Sequence, residues 1–311
     1  AQHRAAPYQR AVCDRRGGRE WPARSSRHTF RNAPFVGVVA QIAGSVDRSQ
    51  RNRSDLGEAL GFSVGDELMD FDFELLRAAF GDQSTTFVGL VDNTRDLATL
   101  TALGDWDCAV LVGHVNTAVE ALWRWQGEAP PDAPEIDAVG WWDGVDPGIN
   151  DTFSQRYAAK RSHEQLRELV RSSLQRATEM LPTMAAEATL VAPGAIAWTR
   201  FDQGLATRIV ELTVHGLDLA AAISSTTAMS PRAVAVVGSI LDERLDGARP
   251  ADLGDDAQGV SAATGRAPHA DPRLPVLSSG PIAHPGRPMP LGQGSVRSGR
   301  GRHRRSRLRK S

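Results

Sequence analysis

Glu211 and His215 stand four residues apart inside Arg208-Ile-Val-Glu-Leu-Thr-Val-His-Gly-Leu-Asp218, a stretch that is otherwise largely apolar. At about 100° per residue a helix carries both on one side, with Arg208 and Asp218 extending the stripe in either direction. A carboxylate beside a neutral imidazole is a natural ligand pair for a divalent cation, and a buried charge needs such a partner. The same stripe also fits the wet side of an amphipathic helix, and the spacing alone leaves both readings open. Leu205, Ile209, Val210, Leu212, Val214, Leu217 and Leu219 fill most of the remaining circumference. That arc is far wider than the roughly 100° stripe of a surface helix, so the helix is expected to be mostly buried.

A third donor bears on the choice. His114 sits among Val110, Leu111, Ala118, Ala121 and Trp125, which share one helical face. A lone histidine in such a place is commonly a core residue hydrogen-bonded to backbone. Taken with Glu211 and His215, it gives two imidazoles and one carboxylate pointing inward from helices able to pack side by side. Three protein ligands leave a coordination position open, as catalytic metal sites do. Cys108 lies six residues before His114, about 240° around the helix, and is not expected to face the same ion. His163-Glu164 opens like a zinc-protease motif, but Arg167 holds the place of its second histidine. No Gly-rich phosphate loop, nucleophile elbow or Cys-x2-Cys pair is present.

The elements that must position these groups read as helices. An apolar period runs from Met69 through Phe73, Leu76, Phe80 and Phe87 to Val91, interrupted only at Gly81. Asp105 or Asp107 can cap a second helix reaching Trp125. A third spans about Asp151 to Leu181, with a possible break near Lys160 to Ser162. The donor-bearing helix covers about Gln203 to Ile223, a fifth starts at Ser230-Pro231 and ends near Leu245, and a short one spans about Asp255 to Ala263. Between them, residues 127 to 150 form a Pro- and Gly-rich connection whose Trp141-Trp142 pair could line a pocket mouth or anchor the loop.

The pattern predicts an all-α fold: a helical bundle over 69–224, a mainly helical extension over 225–277, and disordered segments at 1–68 and 278–311. Met69 is the first methionine, right where the pattern begins, so residues 1–68 are expected to be non-native or disordered, apart from a short helix near Leu56 to Leu60. The last segment is rich in arginine and glycine and carries no folded nucleic-acid motif, so specific nucleic-acid binding is not expected. Charge is balanced, with 36 basic and 37 acidic residues, and two cysteines exclude a disulfide framework. A reducing, cytoplasmic location is expected, and no apolar run approaches the roughly 20 residues of a membrane span.

Several segments together resemble one family. Met69-Asp-Phe-Asp-Phe73, the Trp106-to-His114 spacing, Arg208 to Leu219, and Ala263-Thr-Gly-Arg266 followed by Asp271-Pro-Arg-Leu-Pro275 are similar to the mycothiol-dependent maleylpyruvate isomerases of actinobacteria. The resemblance implies a DinB-like bundle of four core helices, with His114, Glu211 and His215 as ligands of zinc and with Arg208 or Asp218 orienting a ligand from behind. It also implies mycothiol as a thiol cosubstrate. The thiolate would add to the double bond of a small electrophile such as a cis enedioate, allow rotation and leave, whereas a transferase would keep the adduct. The residues before His114 lack the Arg-Asp pair common in that family. The alternative is a non-catalytic, metal-binding or regulatory bundle, or a helical interaction protein without metal.

Overall fold

The computed structural model describes residues 69–143, 147–192, 197–226, 229–254 and 256–277. Expectations for residues 1–68 and 278–311 lie outside them. Seven α-helices appear among the described residues: α1 Phe73–Asn93, α2 Cys108–Arg124, α3 Pro147–Ala158, α4 His163–Met180, α5 Phe201–Ala222, α6 Pro231–Arg244 and α7 Ala257–Ala263. The expected all-α fold holds, with one small addition. Thr189–Val191 (β1) and Trp198–Arg200 (β2) pair antiparallel, Leu190 opposite Thr199. Three residues per strand are too few to show an alternating pattern in sequence.

Helix starts follow the capping chemistry of their residues. Asp72 accepts from the Glu74 and Leu75 amides at 2.9 and 3.2 Å. Asp107, not Asp105, caps α2, accepting from Val110 at 2.8 Å. Ser162 and Gln165 form a reciprocal capping box that opens α4. The third helix read from the sequence is two, Pro147–Ala158 and His163–Met180, with the break where it was expected, between Lys160 and Ser162. Each such cap contributes on the order of 1 kcal/mol. Gly81 does not interrupt α1, which runs straight through it.

Four helices make the core: α1 packs on α5, α5 on α2, α2 on α4, and α4 back on α1. Helix α3 lies against α2, while α6 covers α1 and α5, and α7 touches α5 and α6. Helix α5 is surrounded, and from Phe201 to Gly216 every residue is buried. A buried glutamine ties three of these helices. Gln83 of α1 donates to the Leu212 carbonyl at 3.4 Å and accepts from the Ser230 amide at 3.2 Å. Arg167, the residue that spoils the zinc-protease motif, instead donates to the carbonyls of Val91 and Thr94 and so clamps the end of α1 to α4.

Two glycines set opposite expectations for stability. A Cβ on Gly259 would stand 1.8 Å from the Gly254 carbonyl oxygen, a backbone atom that cannot swing away, whereas one on Gly81 would meet nothing within 4 Å. Gly81→Ala is expected to stabilise by about 0.5–1 kcal/mol through helix propensity, raising Tm by a few degrees. Gly259→Ala should lower Tm by more than that. Calorimetry of the two variants beside the parent chain checks both signs.

Candidate metal centre

His114 projects from α2, and Glu211 and His215 from α5, one turn apart. The structure brings the three together: one donor atom from each lies within 4.8 Å of the others. All are buried, at 4%, 5% and 0% exposure respectively. Glu211 Oε2 is the meeting point, 3.1 Å from His114 Nε2 and 3.1 Å from His215 Nε2. The two imidazoles meet edge to face with centroids 4.9 Å apart.

The outward nitrogens of both rings are held. His215 Nδ1 lies 2.9 Å from Asp218 Oδ2, so it carries the proton and donates to that carboxylate. Asp218 is itself gripped by Arg266, whose Nε and Nη2 donate to its two oxygens at 2.7 and 2.8 Å. His114 Nδ1 lies 3.1 Å from Ser154 Oγ, whose only proton goes to the Asn150 carbonyl at 2.8 Å. The hydroxyl therefore accepts from His114 Nδ1–H. In both rings the tautomer that results leaves Nε2 as a lone pair facing Glu211.

This geometry is unfavourable without a cation. Lone pairs face a carboxylate oxygen in a buried site, and His215 Nε2 has no hydrogen-bond partner despite lying 3.1 Å from Glu211. Burial lowers the pKa of His114 and outweighs the pull of Glu211. Burial acts the same way on His215, but Asp218 and Glu211 reverse it and leave its pKa raised. For Glu211, burial alone would push the carboxyl up, yet the charge and hydrogen bonding of the facing imidazoles in their protonated form, which they adopt when no cation is held, keep it well below its ordinary range. The atoms thus offer an anion and two imidazole lone pairs, the donor set of a divalent cation with an open fourth position.

Support comes from residues that the sequence did not reveal as part of the site. Trp106 packs against both rings, with centroids 5.2 Å from His114 and 6.2 Å from His215. Its Nε1 donates to Asp151 Oδ1 at 2.5 Å. Asp151 and Ser154, both on α3, thereby steady the α2 side, while Arg266 steadies the α5 side from the segment after α7. The available signals were the Trp106-to-His114 spacing and the Thr264-Gly-Arg266 motif, neither of which carried a role. Of the two residues expected behind the ligands, Asp218 hydrogen-bonds His215, whereas Arg208 feels the charge of Glu211 without a hydrogen bond or ion pair to any of the three. Its guanidinium lies over Trp141 and Trp125, at 4.9 and 5.6 Å from the ring centroids. Cys108 is buried with its thiol pushed up to about 11, first by burial and then by Asp107, so it is no nucleophile at neutral pH.

These features define a helical bundle with a buried two-histidine, one-carboxylate centre built between facing helices. Residues 77–220 match the family described as the mycothiol maleylpyruvate isomerase N-terminal domain, and the resemblance read from the sequence therefore holds over that stretch. A solved structure, the crystal structure of the mycothiol-dependent maleylpyruvate isomerase, is similar at a TM-score of 0.42 and 18% identity, covering 70% of this chain and 93% of that one. No curated protein matches. Among the described residues no helix is long and apolar enough to cross a membrane.

The Arg266–Asp218–His215 chain has a measurable consequence in metal-free protein. Burial raises the Asp218 carboxyl, but hydrogen bonds from His215 and Arg266 more than reverse this and leave it lowered. A carboxyl depressed on folding contributes stability that is present above its unfolded pKa, about 3.9, and is lost as pH falls through the lower folded value. Arg266→Met leaves Asp218 buried without its cation and is expected to cost about 3 kcal/mol at neutral pH. The variant should also lose less on acidification below about pH 4 than the parent does. Urea unfolding of chelator-treated protein, followed by circular dichroism across pH, tests both.

Proposed function

We propose that this chain is a metal-dependent enzyme that uses a low-molecular-weight thiol, mycothiol, to isomerise or thiolate a small electrophile in the manner of maleylpyruvate isomerase. The observation that carries this reading is the pair of imidazoles whose Nε2 lone pairs are both fixed toward Glu211 by partners on the far side of each ring. His114, Glu211 and His215 would hold the ion, and this mixed nitrogen and oxygen set suits zinc. Zinc bound there would supply a Lewis-acid position that lowers the pKa of a coordinated thiol, making thiolate available at neutral pH.

The remaining chemistry belongs to the chain. Asp218 and Ser154 keep each ligating ring in one tautomer and one orientation, so the donor atoms need no rearrangement when an ion enters. Trp106 closes one side of the centre against water, which strengthens every charge interaction within it. The match to the isomerase N-terminal domain supports the thiol, and the absence of a usable nucleophile at Cys108 is consistent with a thiol brought from outside. A small thiol, a small electrophile and a cytoplasmic setting go together in this reading, with neither nucleic acid nor membrane as a partner.

The test is metal content before activity. Full-length protein without affinity histidines should carry close to one divalent ion per chain by elemental analysis. His114→Ala and Glu211→Ala should lose it while keeping the helical circular dichroism, because the core is built from other residues. The loaded parent should then convert a cis enedioate only when mycothiol is added. Unfolding of both variants would instead point to a structural site, where metal-binding energy is folding energy. A folded parent that takes up no metal would remove the enzyme reading.

A further inference from the structure

Arg208 is 4% exposed, and its Nε is buried with no hydrogen-bond partner. Among the described residues no carboxylate lies within ion-pair distance of it. Glu211, the nearest acid along the helix, already has one oxygen facing two imidazoles. A buried cation with no counter-ion is expensive, and chains keep such groups where a ligand completes them. The guanidinium is not idle in shape. It lies over the faces of Trp141 and Trp125, whose rings stand 5.8 Å apart and tilted by 34°. Indole faces hold a guanidinium flat by cation–π attraction and leave its N–H edge free for an acceptor in the same plane.

We propose that Arg208, backed by Trp125 and Trp141, is the binding group for a carboxylate of the ligand that reaches the metal centre. This rests on the metal reading above and adds a charge requirement to it. A carboxylate is planar and accepts two parallel N–H bonds, which is the geometry a flattened guanidinium offers and an ammonium does not. Arg208 precedes Glu211 by three residues on α5, so its backbone lies one helical turn from the metal donors while its guanidinium is held on the Trp125 and Trp141 rings. That spacing suits a small molecule with its reacting atoms at the metal and its carboxylate at Arg208. The carboxylate could sit on the electrophile or on the thiol.

The experiment uses full-length protein and four probes: maleate and its uncharged counterpart maleamide, and 3-mercaptopropionate beside 2-mercaptoethanol. Binding is followed by tryptophan fluorescence, since Trp125 and Trp141 flank the site, and by calorimetry. Arg208→Met should weaken the carboxylate probes by at least tenfold, leave the uncharged ones unchanged and keep its metal. Arg208→Lys should recover part of the loss. A loss confined to maleate assigns the carboxylate to the electrophile, and one confined to 3-mercaptopropionate assigns it to the thiol. Arg208→Met that binds both carboxylates as the parent does would overturn the proposal. If the parent holds no metal, the metal reading falls, but the maleate titration still decides Arg208. If Arg208→Met fails to fold, Arg208→Lys decides: unchanged affinity overturns the proposal, and an affinity reduced several-fold upholds it.

Discussion

The polar centre answers to one electrostatic constraint: Glu211 holds a carboxylate within the stretch of α5, Phe201 to Gly216, in which every residue is buried. Water solvates it poorly there, and leaving such a charge uncompensated would cost about 3–5 kcal/mol, a large share of a domain's stability. The structure surrounds the charge with two imidazoles, one from the next turn and one from a facing helix, so that it is balanced either by a proton on an inward nitrogen or by a cation held among the three. It then fixes each ring from behind, so that neither can turn its proton-bearing nitrogen inward. The four-helix core is what makes this possible. Helix α5 is enclosed by α1, α2 and α6, and only a fully enclosed helix can present such a stripe to its neighbours rather than to solvent.

The division of labour between the helices is also physical. The hydrophobic core runs through Phe80, Phe87, Leu111, Ile209 and Leu212, all without exposed surface, and needs none of the donor residues. The polar network is therefore an inclusion within an apolar bundle that can stand on its own packing. Such separation lets a site be charged, strained by unfilled lone pairs and still reproducibly placed, because the rotamers around it are set by close contact.

Much of this was legible from local pattern. Glu211, His215 and Asp218 share one helix, so their common face follows from period alone, and His114 stood out because an imidazole at the centre of an apolar arc is unusual. The caps at Ser230 and near Asp107 could be read from residue type. What escaped the sequence is what depends on tertiary partners. Ser154 and Asp151 belong to a polar helix whose burial against α2 leaves no periodic trace, and Trp106 stood out by its spacing to His114 without showing that its ring packs on both imidazoles. Arg208 is the reverse case. Its place on the stripe was correct, but a long side chain can leave its stripe, and this one turns to the indoles of Trp125 and Trp141. The two short strands were invisible because three residues cannot display a period of two.

The grip of Arg266 on Asp218 ties the centre to the order in which the chain is made. His114, Glu211 and His215 all leave the ribosome before Arg266 does, yet the ring of His215 gains its full backing only when that last arginine docks. A nascent chain would thus pass through a state in which the donors are present but loosely aimed. The finished centre in this sense records synthesis at least as far as residue 266, since a chain stopped short of it would carry the same three ligands without the hold that steadies them.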